Sequence, residues 1–316
     1  MSLLIMLKKL KELLKKIKGE KFMNGWLMLN KPKGFTSNYC LNVLKKKFNL
    51  KKTGYAGTLD PLATGLLPIA VGESTKSIKY FENLNKTYLF QVQWGVETTT
   101  IDQEGDIIKK NDIIPKKKSI LSILNKFKGK ILQTPPIYSA VKINGSRAYD
   151  LARKGLKFNI QPKEIFVNNI RLIKHDIIRK KSVFIIKCKT GCYVRSIVKD
   201  LAKLLNASAY CTQIDRRRIG IFTQKRSLKL DFFMNIKKKE ELKKFILDIP
   251  EVLYHIPKIK LDDKRLKLIK NGMKVSMYEE IGCSNFDNYI ITSSKHILAL
   301  GTVKAGYFYP KRILKV

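Results

Sequence analysis

Histidine is nearly absent: His175, His255 and His296 are the three in 316 residues. None forms an H-E-x-x-H pattern or lies beside another motif, which argues against histidine-based chemistry. Cysteine is sparse and odd in number: Cys40, Cys188, Cys192, Cys211 and Cys283. So scattered a set argues against a disulfide framework and for a reducing compartment, read here as cytoplasmic. Cys188 and Cys192 lack metal-knuckle spacing and have no accompanying histidine pair, so no metal is expected. No cofactor fingerprint occurs either. A membrane-spanning run is also lacking. Leu3, Leu7, Leu10, Leu14 and Ile17 recur at helical spacing with lysines on the other face. That basic amphipathic segment is too short and too charged to cross a bilayer. It also lacks the apolar core and cleavage site of a signal peptide. Residues 1–22 therefore read as a dispensable extension, with Met23 an alternative start.

Carboxylates are the remaining scarcity. Asp and Glu number 25 against 64 Lys and Arg, a net charge of +39. A balance this basic implies a polyanionic partner, most simply nucleic acid. Lys, Ile and Asn are all abundant, so half of the excess is assigned to a compositional bias that inflates lysine everywhere. The length suits one large and one small domain. From about residue 250 the texture shifts to short strands and turns, so the division is 23–248 and 249–316.

Against that background one stretch stands out, GYAGTLDPLATGLLPIAVGESTK, residues 54–76. It holds one carboxylate at its centre, Asp60. Pro61 pushes Asp60 out of the helical region, and the flanking glycines permit close approach by a ligand. The apolar run from Leu66 to Val71 predicts a buried strand. Asp60 is thus expected on a stiff loop feeding that strand. Further strands are expected at Trp26–Leu29 and over residues 86–96, where aromatic and β-branched residues alternate. Thr36 or Ser37 is expected to cap a helix. Residues 111–130 read as a lysine-rich surface helix. Asp102, Glu104 and Asp106 read as a turn with a solvated acidic face. In Val183–Leu205 a strand is broken at Gly191. Tyr193 and Arg195 are expected on an extended segment, with a helix from Ile197.

GTLDPLATGLLPIAVGESTK resembles the catalytic motif of the TruB family, the tRNA pseudouridine-55 synthases. Other stretches extend the resemblance. Residues 30–37 are similar to its N-K-P-x-G-x-[TS]-S opening. Gly95, Thr98, Thr100, Asp102 and Gly105 fit G-x-x-T-x-T-x-D-x-x-G. QTPPIYSAVKINGSRAYDLARKG, residues 133–155, is close to the family throughout, and its Tyr138, Lys142, Arg147 and Tyr149 interleave aromatics with cations as an RNA-contacting face would. Gly191, Tyr193, Val194, Arg195, Ser196 and Ile197 fit G-x-Y-[IV]-R-[ST]-[IL], and IDRRRIGIF, residues 214–222, resembles L-R-R-x-R-V-G-x-F.

The resemblance implies an α+β fold. Its catalytic domain would hold a mixed, largely antiparallel central sheet, followed by a small PUA-like RNA-binding domain. It implies an isomerase that turns uridine into pseudouridine in the T-loop of tRNA, with Asp60 as nucleophile, needing no cofactor or metal. Tyr88 is expected to stack on the flipped base and to accept the proton at C5; Arg195 is expected to pair with Asp60. Tyr55, Tyr193, Ile214, Lys31 and Lys76 are expected to contact substrate. The chain is expected to be a monomer without an obligatory protein or membrane partner. The alternatives are a non-catalytic tRNA-folding chaperone and a related synthase with another RNA target. Three residues depart from the family pattern, Tyr55, Ala56 and Asp215. The family's G-H-T-G is Gly54-Tyr55-Ala56-Gly57 here, and Asp215 replaces a usual arginine where a phosphate contact is expected.

Overall fold

The computed structural model describes residues 23–292 and 297–314, so the expected extension, 1–22, lies outside the described residues. A ten-stranded mixed sheet dominates. Its strands are β1 (Gly25–Lys31), β2 (Thr53–Tyr55), β3 (Thr64–Val71), β4 (Lys86–Trp94), β5 (Gly129–Gln133), β6 (Lys163–Asp176), β7 (Lys181–Cys188), β8 (Ala209–Ile219), β9 (Phe222–Thr223) and β10 (Leu228–Lys229). Their order is β10-β1-β3-β8-β4-β7-β6-β5, with β2 beside β3 and β9 beside β8. The β1–β10 and β3–β8 pairs are parallel. The other pairs are antiparallel.

The apolar runs of β1 and β3 follow from burial on both faces. Successive side chains of a strand point to opposite sides. Leu27, Leu29, Leu67, Ile69 and Val71 enter one core with Phe90, Val92 and Ile197. Trp26, Met28, Leu66 and Ala70 enter a second core with Phe81, Ile290, Leu300 and Leu314. Trp26 stacks on Phe81 at 4.9 Å. A strand covered on both sides must be apolar at nearly every position. In β4 only alternate residues, Lys86 to Trp94, are buried.

The helix α1 (Ser37–Lys47) is capped by Thr36, whose hydroxyl accepts from the Tyr39 N–H. The helix α2 (Val194–Leu204) packs on the sheet through Ile197, Val198 and Leu201. It starts three residues earlier than the spacing predicts. The strand before it ends at Cys188, and Gly191 at φ +94° turns the chain. Tyr193 becomes the helix cap and Arg195 a first-turn residue, so the two do not share one strand face. The expected helix over 111–130 shrinks to Lys117–Ile123 and a 3-10 turn, because Gly129 already opens β5.

The C-terminal strands are β11 (Lys258–Lys260), β12 (Val275–Ser276), β13 (Phe286–Thr292), β14 (Ile297–Lys304) and β15 (Tyr307–Ile313). They form a separate sheet in the order β11-β13-β14-β15-β12, the β-rich, PUA-like ending expected. Its own small core includes Leu261, Ile269, Met277, Ile291 and Phe308. Among the described residues no helix is long and apolar enough to cross a membrane.

Candidate active site

Asp60 stands on a loop fastened from both sides. The Ser37 hydroxyl donates to the Leu59 carbonyl at 3.1 Å and accepts from the Leu59 N–H at 2.9 Å. The Gly34 N–H donates to the Pro61 carbonyl at 2.8 Å, and the Ala63 N–H to the Asp60 carbonyl at 3.0 Å. Gly65 has φ +104°, and a Cβ there would fall 2.5 Å from the Arg216 carbonyl oxygen. Only glycine lets β3 begin so close to β8.

Lys31 completes the fastening. It is fully buried, and its ammonium donates to the carbonyls of Pro32, Phe35 and Pro61. The expected substrate contact of Lys31 is therefore corrected: this lysine ties the loop from inside. Burial pulls its pKa down to about 8, opposed by the nearby Cys40 and Asp60.

Arg195 meets Asp60 as a two-pronged pair. Its Nε donates to Oδ2 at 2.8 Å and its Nη2 to Oδ1 at 3.0 Å. The guanidinium is 3% exposed, whereas the Asp60 side chain keeps a third of its surface open. Nη1 also donates to the Thr100 carbonyl and Nη2 to the Tyr138 carbonyl. A second carboxylate, Asp102, lies 3.8 Å from Nη1.

Asp102 alone departs from the expected solvated acidic face, on which Glu104 and Asp106 do stay exposed. It is 3% exposed and accepts from the Thr100 hydroxyl and the Glu104 N–H. The turn that buries it holds Ile101 at φ +59°. A β-branched residue there is strained by about 1–3 kcal/mol. The carbonyl just before it, that of Thr100, accepts from Arg195. Beside them, burial and the Asp102 and Asp60 charges push the Glu104 carboxyl up.

Tyr88 lies in the core, on the same sheet face as Ile214 of β8. Burial pushes its phenol up to about 12, and its hydroxyl meets the Arg216 guanidinium. Arg216 is 1% exposed and donates to the Leu66 and Gly57 carbonyls. Tyr88 thus reaches the Asp60 loop through Arg216. Lys86, two residues before Tyr88, donates to the Glu82 and Leu84 carbonyls and to Thr190 Oγ1. Burial lowers its pKa to about 8.

Tyr193 is held by one side chain. Gln133, 1% exposed, accepts from the Tyr193 N–H at 2.8 Å and donates to its carbonyl at 3.1 Å. The Ser196 hydroxyl donates to the Thr134 carbonyl at 2.7 Å. Tyr55 is half-buried on β2, with Arg147 as an electrostatic neighbour. Arg147 and Arg153 flank the Tyr149 ring, each at 5.8 Å. Lys76 stands apart from the site. It follows the far end of β3 from Asp60 and pairs with Glu73 and the Ile313 carbonyl. Asp215 is also corrected. It is 4% exposed and ion-paired with Arg217 at 2.7 Å, not presented to a phosphate. Among the described residues no three His, Cys, Asp or Glu side chains converge as a metal would need.

Sequence reading missed Arg216, Lys86, Gln133 and the burial of Asp102. Lys86 alone had a signal, since it falls in register with the inward Tyr88 and Phe90.

A family profile described as TruB family pseudouridylate synthase (N terminal domain) matches residues 45–194. A tRNA pseudouridine synthase B of Ehrlichia canis is 36% identical over 296 residues, covering 93% of this chain and 98% of that relative. One from a Caulobacter species (strain K31) is 33% identical over 301 residues, covering 93% and 97%. The chain belongs to the TruB family. It is accordingly an isomerase that forms pseudouridine in tRNA. The fold also matches solved chains at low identity. One, from a Cbf5-Nop10-Gar1 complex, has a TM-score of 0.67 at 22% identity, covering 92% of this chain and 84% of that one. Another, from an archaeal box H/ACA sRNP Nop10-Cbf5 complex, has a TM-score of 0.68 at 20% identity, covering 93% and 86%.

Two outcomes test this arrangement. With a folded pKa near 8 against 10.5 for ordinary lysine, Lys86 is protonated in both states below pH 8. Above pH 8 the unfolded chain holds the proton longer, so this group makes stability rise with pH up to about 10.5. Lys86→Met should flatten that rise, read from urea melts between pH 8 and 9.5. Gln133→Ala should leave the Tyr193 backbone unpaired at a cost of about 1–3 kcal/mol. It should also lower kcat about tenfold at unchanged KM, since Arg195 loses its alignment two residues on; melts and single-turnover assays separate the two effects.

Proposed function

We propose that this chain converts the uridine at position 55 of the tRNA T-loop to pseudouridine, with Asp60 as nucleophile. The observation that carries the reading is the Asp60–Arg195 pair: a buried guanidinium grips both oxygens of a carboxylate that stays open on one side. In this reading residues 23–248 do the chemistry and 249–316 add RNA contact.

The reaction breaks the N1–C1′ bond, turns the uracil, and forms a C5–C1′ bond. C5 loses a proton and N1 gains one, so the product is an isomer. A carboxylate is a competent nucleophile in glycosyl chemistry. Attack on the sugar, attack on the base, and elimination all require it ionised. Arg195 fixes the direction of the carboxylate through two hydrogen bonds. A uridine inside folded RNA must first leave its stack. Tyr88 supplies a flat face for it, with Ile214 and Tyr193 as walls. The Tyr88 hydroxyl is engaged by the Arg216 guanidinium, which leaves its ring as the group offered to the base. Tyr55 and the Arg147–Tyr149–Arg153 group line the approach, where cations beside rings suit unpaired nucleotides. A pure RNA-folding protein has no use for an open carboxylate braced in this way.

Asp60→Asn should keep RNA affinity and lose about 10⁴-fold in turnover. Tritium release from tRNA carrying 5-tritiated uridine measures it, and substantial activity would refute the assignment. Arg195→Lys should cost about 100-fold in the same assay, because one ammonium cannot copy two parallel hydrogen bonds.

A further inference from the structure

We propose that Phe35 and Tyr39 form a stacking platform for a second unpaired base of the RNA, beside the Asp60 site. This rests on the reading of the chain as an RNA-modifying enzyme. The two rings stack at 4.8 Å between centroids and 15° between planes. Both face solvent, Phe35 at 40% exposure and Tyr39 at 48%. Two large rings stacked in the open present one contiguous apolar face to solvent.

The platform is rigid and fixed relative to the nucleophile. The Phe35 carbonyl accepts from the same Lys31 ammonium that holds the Pro61 carbonyl. Gly34 is hydrogen-bonded to Pro61, and Ser37 to Leu59. The Thr36 cap fixes the Tyr39 backbone. Lys31, Gly34 and Ser37, which hold the segment carrying the two rings, are therefore bonded to the loop that presents Asp60.

The surrounding charge selects the occupant. No Asp or Glu lies between Met23 and Leu59, whereas Lys33, Lys45 and Lys46 are exposed. Lys33 reaches towards the loop of Asp102, where its ammonium lies 2.8 Å from the Gln103 side chain once that amide is oriented by its hydrogen bonds. A flat apolar face with the exposed Lys33 two residues before Phe35, on a segment without acids, fits a nucleobase with its phosphate. An i, i+4 aromatic pair could instead only stiffen the start of α1. Leucines keep that apolar helix contact while removing the flat faces, so they separate the two roles.

The test is the double variant Phe35→Leu/Tyr39→Leu with a fluorescent T-arm hairpin, followed by anisotropy at several salt concentrations. Kd should weaken about tenfold, the loss of one stacked base, with the salt slope unchanged because no phosphate contact is removed. Hairpins carrying 2-aminopurine at single loop positions should show one position quenched by the wild type and released in the variant. An unchanged Kd with quenching retained at every position would overturn the platform. Sedimentation that shifts in the variant while Kd holds would assign the face to contact between copies, and would equally overturn it. A wild-type chain that fails to bind the hairpin would instead strike the underlying functional reading.

Discussion

The Arg195 guanidinium is the constraint around which this sheet is arranged. A buried cation without partners costs several kcal/mol. Here its donors are taken up by Asp60 and by the Thr100 and Tyr138 carbonyls, with Asp102 alongside. Those partners come from three loops far apart in the chain. Each must arrive at one plane, because the guanidinium fork is rigid. The sheet supplies the frame. β3 delivers the Asp60 loop, β5 ends at Gln133, which clamps Tyr193, and α2 carries Arg195 itself. The carboxylate that results is oriented by its neighbours, yet a third of it still faces out.

Buried cations recur around the site, and they are satisfied mainly by carbonyls. Lys31 is caged by three carbonyl oxygens, Arg216 donates to two, and Lys86 to two and a hydroxyl. Carbonyls hold these groups in place without neutralising them. The positive charge of Lys31 therefore persists beside the Asp60 loop. The cost appears in the lysines themselves, whose pKa values fall to about 8. The fold accepts that cost because each ammonium joins segments that no regular hydrogen-bond ladder could join. Lys86, for example, ties the turn after Phe81 to the turn before Tyr193.

Several of these features were legible in the sequence, and for physical reasons. Pro61 and the glycines around Asp60 restrict the backbone locally, so the loop could be read from neighbours alone. The apolar run at Leu66–Val71 reports burial on both faces, whichever strands supply the cover. Other features depend on contacts distant in the chain. Nothing around Asp102 signals its burial, which follows from Arg195 arriving 93 positions later. The cage around Lys31 is likewise invisible locally, and so a lysine in a turn-like sequence read as a surface cation. Arg195 was placed on a strand because the two-residue spacing to Tyr193 suited one, whereas the turn at Gly191 leaves room for a helix to begin sooner.

The positions where this chain departs from the family pattern differ in consequence. Ala56 is 1% exposed in the core with Leu66 and Ala70. A threonine hydroxyl there would need a buried partner, and a methyl group needs none. Asp215 is turned inward, where it holds Arg217, pairs across β3 at Thr64 and lies beside Gly65. Both exchanges belong to the interior. Tyr55 is the exception, half-exposed on a short strand and facing Arg147. A ring is preserved there, but the hydrogen-bonding pattern of an imidazole is not. Of the three, Tyr55 alone is open to solvent, and none of the three is among the partners of the Asp60–Arg195 pair.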